Sequence, residues 1–274
     1  MAWWASAIAL VVLPHGVIAQ ATPESCLASG SAVRLDHVVV AVANLEDAAD
    51  AWRNLGFRLK PGRKHANGIR NVHAKFPDRT QLELPTVEEP TDGLAEWYQS
   101  FISAGGGGAF LALSAGAIEG VTETLRRAGL EPTITRGGAF DYASFPPDHS
   151  LHHVFFIDYH HPVEDAPEIV HQPNGATGMS EVWLAVREGS LFLAVLQALG
   201  ARSCGVDRHP AGFEGETVGL ANGRLVLMFR SGPHAYPRVR AVTLITTGTA
   251  RDRLFSPDEA EGVWIRLAAE GGDR

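Results

Sequence analysis

The stretch Leu35-Asp36-His37-Val38-Val39-Val40-Ala41-Val42 decides how the rest of the chain is read. Its β-branched residues suit a pleated, largely buried strand. Asn44 then stands where a helix N-cap belongs, and Leu45, Ala48, Ala49, Trp52 and Leu55 recur at the spacing of one helical face. Gly56 supplies the left-handed stop.

The same order recurs twice. Ala109 to Leu113 reads as a strand, Ala117 to Ala128 as a helix carried by Ile118, Val121 and Leu125, and Gly129 as its stop. A third copy runs from the strand Ser180–Val186 through a Leu191–Leu199 helix to Gly200. The stop glycines lie 73 and then 71 residues apart. Each is followed by paired strands. These are Ile69–Phe76 with Thr80–Pro85, Phe140–Phe145 with Leu151–Tyr159, and Thr217–Ala221 with Arg224–Phe229 around an Asn222-Gly223 turn. Arg238–Thr246 and Gly262–Leu267 read as a shortened fourth copy.

The spacing therefore predicts an α+β fold of tandem β-α-β-β-β modules, three full plus one truncated, forming curved mixed sheets. Modules one and two span 34–161, and the third with the truncated fourth spans 174–268. Asp92 to Ser103 reads as an inserted helix, and Gly105 to Gly108 as a flexible joint.

Composition bounds the partners. The 274 residues are 45% hydrophobic and 20% charged, with a net charge of -8 and no Lys/Arg block, which argues against a nucleic-acid partner. The apolar run Ala5–Leu13, ended by Pro14 and followed by small residues near Ala19 and Ala21, reads as a signal peptide over residues 1–21. It is too short to span a membrane, so the mature protein is expected to be periplasmic or secreted. Cys26 and Cys204 match no zinc motif, and whether they pair is left open.

A β-α-β-β-β unit cannot bury its curved face alone, and two side by side make a cup. The strand Leu35–Val42, its Leu45-to-Gly56 helix and the later Gln81-Leu82-Glu83-Leu84 resemble the vicinal oxygen chelate superfamily. That superfamily includes glyoxalase I, extradiol dioxygenases, fosfomycin-resistance and bleomycin-binding proteins. Phe155-Phe156-Ile157-Asp158-Tyr159-His160 and His171-Gln172-Pro173-Asn174-Gly175-Ala176 narrow the resemblance to glyoxalase-like domain proteins over about residues 34–268.

The resemblance implies a divalent metal held by His37 and Glu83, with Glu83 also given the catalytic role. Imidazole and carboxylate on paired strands leave positions open for a Lewis-acid site. One period on, His37 maps to Phe110 and Glu83 to Phe156, neither of them a ligand. In the third copy Glu181 takes the place of His37, and Val226 or Leu227 that of Glu83. If Phe156 points into the cup, strand alternation brings His152, Asp158 and His160 with it, so Asp158 or His160 would complete the set. A register one residue off would place His153 and Tyr159 there instead.

His149, His152, His153, His160 and His161 are five of the twelve histidines, and His65 and His73 are further candidates. Glu88-Glu89 and Glu164-Asp165 read as solvated loops beside prolines. The enzyme expectation is a metal-dependent lyase, isomerase or dioxygenase acting on a small oxygenated molecule. The alternative is a metal-free cup that binds and sequesters a small molecule against Phe110, Phe156 and His152. A homodimer is compatible with either.

Overall fold

The first helix starts where its cap stands. In the computed structural model, which describes residues 26–161, 164–229, 237–247 and 252–270, Asn44 Oδ1 accepts from the backbone N–H of Glu46 and Asp47 at 3.0 and 3.2 Å. Gly56, Gly129 and Gly200 all take positive φ, at 86°, 77° and 89°. The left-handed stop is therefore built three times, as the repeat requires.

The modules follow in chain order. The first is β1 (Val33–Ala41), α1 (Leu45–Asn54), β2 (Lys60–Lys64), β3 (Ile69–Lys75) and β4 (Gln81–Val87). After the inserted α2 (Gly93–Ser103) comes the second: β5 (Gly107–Ala115), α3 (Ile118–Arg127), β6 (Thr133–Arg136), β7 (Phe140–Ser144) and β8 (Val154–Tyr159). A short α4 (Pro167–Val170) leads to β9 (Ala176–Val186), α5 (Gly189–Ala198), β10 (Arg202–Arg208), β11 (Glu214–Gly219) and β12 (Arg224–Phe229). The fourth has only β13 (Arg238–Thr246), β14 (Arg253–Phe255) and β15 (Trp264–Ala269).

Within each full module the first strand pairs in parallel with the last, β1 with β4, β5 with β8 and β9 with β12. Neighbouring modules join through antiparallel first strands, β1 with β5 and β9 with β13. The N-terminal half runs β2-β3-β4-β1-β5-β8-β7-β6, and the C-terminal half runs β10-β11-β12-β9-β13-β15-β14. Val239 on Gly108 connects them into one curved, unclosed mixed sheet. No helix among the described residues is long and apolar enough to cross a membrane.

The main core lies between the sheet and its helices, with Trp52, Leu82, Leu113, Leu125, Phe156 and Phe192 fully buried there. On β1 the core-facing residues are Val33 and Leu35, then Val38 and Val40. That change from odd to even positions is caused by a β-bulge. Leu35 pairs with Leu113 and His37 with Ala112, leaving Asp36 as the extra residue. Val39 and Ala41 consequently face the concave side, where they meet Phe110 of β5 and Ala95 and Tyr98 of α2 in a second cluster.

Polar side chains fasten the halves together. Asn222 of the hairpin turn accepts from Leu35 N at 2.8 Å and donates to Leu35 O at 3.0 Å. Gln172 accepts from Arg58 N at 2.8 Å and donates to Lys75 O at 2.7 Å, while Asn174 N donates to Gly56 O at 3.1 Å. The His171-to-Gly175 segment is thus a structural crossover between modules two and three. Cys26 and Cys204 form a disulfide that ties the segment before β1 to β10.

Candidate functional site

The concave face of the N-terminal half is a cavity of about 1590 Å3. Its floor starts at the bulge. Regular alternation would send Asp36 and His37 to opposite faces; the extra residue lets both line the cup. The His37 Nδ1–H donates to Asp36 Oδ1 at 2.5 Å, and Tyr159 Oη–H donates to the same oxygen at 3.1 Å. His37 Nε2 then points toward Glu83, 3.7 Å from Oε2. Parallel pairing explains the approach, because His37 sits opposite Gln81 and Val39 opposite Glu83. The other oxygen of Glu83, Oε1, accepts from Asn71 Nδ2 at 2.6 Å. His73, directly across from Glu83 on β3, keeps Nδ1 buried and unbonded.

Electrostatics follow from this geometry. Burial pulls the His37 imidazole down, but the hydrogen bond to Asp36 and the charges of Asp36 and Glu83 outweigh it and raise its pKa. Burial and the Asp36 charge push the Tyr159 phenol up, so it stays a proton donor. Burial lowers His73, whose pull from Glu83 is opposed by His37 and Lys75.

One wall is aromatic. Trp97 of α2 lies 4.8 Å from Phe110 and 4.7 Å from His152, centroid to centroid, and Phe155 sits edge-on to His37 at 5.4 Å. The inserted helix, capped by Asp92, is therefore a side of the cup rather than only a connector.

The expected ligands divide accordingly. His37, Glu83, Phe110 and His152 line the cup. Phe156 does not: it is fully buried in the main core, and Phe155, Ile157 and Tyr159 take the cup-facing positions of β8. Asp158 turns away with Phe156 and accepts from Ile118 N at 3.3 Å, at the start of α3. His160 sits at the exposed edge, its Nε2 3.2 Å from Asp141. Asp158 and His160 therefore cannot complete a set with His37 and Glu83. The register on β8 is one residue off the 73-residue mapping, which brings Tyr159 to the cup in place of Asp158 and His160, and residues 150–153 form turns before β8 begins at Val154. Two-residue alternation cannot be carried across a turn, so His152 reaches the cup although Phe156 does not. His153 instead bonds Ala109 O through Nδ1 at 2.6 Å.

A divalent metal does not fit these donors. His37 and Glu83 converge, Asp36 is engaged by His37 and Tyr159, His73 stands across from Glu83 on the next strand, and among the described residues no group of three or more His, Cys, Asp or Glu is arranged to hold an ion. Asp36 escaped the sequence reading because the bulge that aims it has no local signature. Asp165 escaped too. Expected to be solvated, it lies half-buried between Lys60 and Lys75 at the cup.

At the equivalent position the C-terminal half carries an ion pair. Glu181 and Arg224 pair where module one has His37 and Gln81, and Trp183 Nε1 donates to Glu181 at 2.6 Å. Beside them His209 stacks on Phe213 at 4.2 Å, accepts from Ala211 N through Nδ1, and leaves Nε2 buried without a partner. Burial, with Arg266 adding to it, lowers His209 to about 4, and burial lowers His153 to about 4 as well.

Both histidines stay neutral in the folded chain while the unfolded chain protonates them below about 6.5. The stability they contribute is present above that value and is lost as pH falls from about 6.5 toward 4. The urea midpoint is expected to fall across that window, and less steeply in His209→Phe. A flat midpoint in the wild type would contradict this account.

Residues 35–200, more than half of the chain, match the family model described as a glyoxalase-like domain. No match was found among curated proteins. Among solved structures, a hypothetical protein from Staphylococcus aureus shares 12% identity at a TM-score of 0.60, covering 87% of this chain and 100% of that one. A xylose isomerase-like TIM barrel/4-hydroxyphenylpyruvate dioxygenase fusion protein shares 14% identity at 0.49, covering 83% and 38%. The methylmalonyl-CoA epimerase of Streptomyces coelicolor shares 17% identity at 0.37, covering 47% and 98%.

Proposed function

Because the chain belongs to the glyoxalase-like domain family, we propose that its N-terminal cup binds a small molecule without a resident metal, as a binding or sequestering protein. The observation that carries this reading is a cavity of about 1590 Å3 with an aromatic wall and, among the described residues, no three His, Cys, Asp or Glu arranged to hold an ion. Ligand pockets are commonly about 300–1,000 Å3, so a molecule of ordinary metabolite size fits with room for water. Trp97, Phe110 and Phe155 would take its apolar part. His37 Nε2 and Glu83 would take its oxygens, and the bond to Asp36 fixes the imidazole that does so.

Purified protein is expected to carry far less than one equivalent of any divalent metal, unchanged in His37→Ala, when measured by elemental analysis. One equivalent that disappears in His37→Ala would overturn the metal-free reading and restore the metal-dependent lyase, isomerase or dioxygenase with Glu83 in the reaction. We further place the protein in an oxidising compartment, as a periplasmic or secreted chain. The Cys26–Cys204 disulfide supports that placement. The signal-like residues 1–21 lie outside the described residues.

A further inference from the structure

Lys60 on β2 and Lys75 on β3 enclose a carboxylate that comes from elsewhere. Asp165, just before α4, receives Lys60 Nζ on Oδ1 at 2.5 Å and Lys75 Nζ on Oδ2 at 2.6 Å. Each oxygen is thus held by its own ammonium. The Asp165 side chain is only 9% exposed and that of Lys75 16%. All three residues line the cup.

The cations and the anion differ in how they are held. Lys60 pairs in register with His73, and Lys75 lies two positions further along β3, on the same face. The ammonium pair is therefore fixed by a sheet, whereas the carboxylate sits on a loop between modules. Two ammonium groups around one carboxylate leave the cluster one positive charge in excess, directed at the cavity. Lys60 lies across from His73, which in turn lies across from Glu83, so the pair stands close to the floor.

We propose that Lys60 and Lys75 form an anion subsite of the cup, and that Asp165 occupies it as an internal counter-anion displaced by the carboxylate or phosphate of an incoming ligand. This rests on the reading of the cup as a small-molecule site, and it names the ligand class: an apolar or aromatic body carrying an acidic group. Asp165 competes intramolecularly, at an effective concentration of roughly millimolar or above, and so weakens any acid that must replace it. Removing its charge empties the subsite without touching His37 or Glu83.

The experiment compares wild type, Asp165→Asn, Asp165→Ser and Asp165→Asn/Lys75→Met, following tryptophan emission and backbone amide shifts. The probes are benzoate, inorganic phosphate and, as the uncharged control, benzyl alcohol. Benzoate is expected to bind both Asp165 variants about tenfold or more tighter than wild type, to lose that gain with Lys75→Met, and to leave benzyl alcohol affinity unchanged. The phosphate arm decides between the two acids, a gain for phosphate alone assigning the subsite to phosphoryl groups. No gain for either anion, or an equal gain for benzyl alcohol, overturns the subsite while saturable benzyl alcohol binding leaves the cup reading standing. If no probe shifts any cup residue in any variant, the cup reading falls together with the subsite.

Discussion

Arg224→Met is expected to destabilise the protein by about 3–5 kcal/mol, the usual cost of stripping the partner from a buried charge. Glu181 is 4% exposed and is held by Arg224, by Trp183 Nε1 at 2.6 Å and by Thr243 Oγ1 at 3.2 Å. Burial already raises the pKa of this carboxyl, against the pull of Arg224. Without the guanidinium the site must either keep an uncompensated anion or take up a proton. Replacing both partners by apolar groups of similar size, Glu181→Leu with Arg224→Met, is expected to recover part of the loss, the remainder reflecting Trp183 Nε1–H and Thr243 Oγ1 left without their acceptor. Asp207, which is partly exposed and also touches Arg224, adds little to the cost. Urea midpoints of the single and double variants check this. A single variant as stable as wild type would show that Glu181 is not desolvated as described.

Cys204→Ser is expected to have a comparable effect. The disulfide joins positions 178 residues apart, and on the chain-entropy account a loop of that length is worth about 5 kcal/mol. Cys26 is buried, and neighbouring backbone bonds, Ala28 N to Leu220 O and Ala32 N to Leu199 O, attach its segment to the C-terminal half. Loss of the bond would release that segment first and leave β10, an edge strand, less supported. Under non-reducing conditions the wild type is expected to show no free thiol and a denaturant midpoint well above that of Cys204→Ser. Two titratable thiols in the native protein, or equal midpoints, would contradict the assignment.

Part of the candidate site is legible in the sequence. His37 and Glu83 lie on strands whose apolar pattern is strong, and parallel pairing brings them to 3.7 Å. The polar strands were harder to see. β2, β6 and β10 each follow a helix and are largely exposed, so they carry no alternation of apolar and polar residues. Asp165 was hidden for a related reason. An acid beside prolines reads as solvated unless the lysines that bury it, 105 and 90 residues away, are known.

The chain's own order of residues determined the repeating unit, because capping asparagine, helical spacing and stop glycine act within a few residues of one another. That an imidazole and a carboxylate would stand on neighbouring strands of the first module came from the family resemblance, since β1 and β4 are paired across more than 40 residues. Tertiary structure alone decided which way the side chains near the bulge and β8 face, since pairing register depends on a partner strand distant in sequence. It also decided that His37 and Glu83 line an open cup while Glu181, at the position equivalent to His37, is buried against Arg224, for the charge of a residue acquires its consequence only from what surrounds it when water is removed.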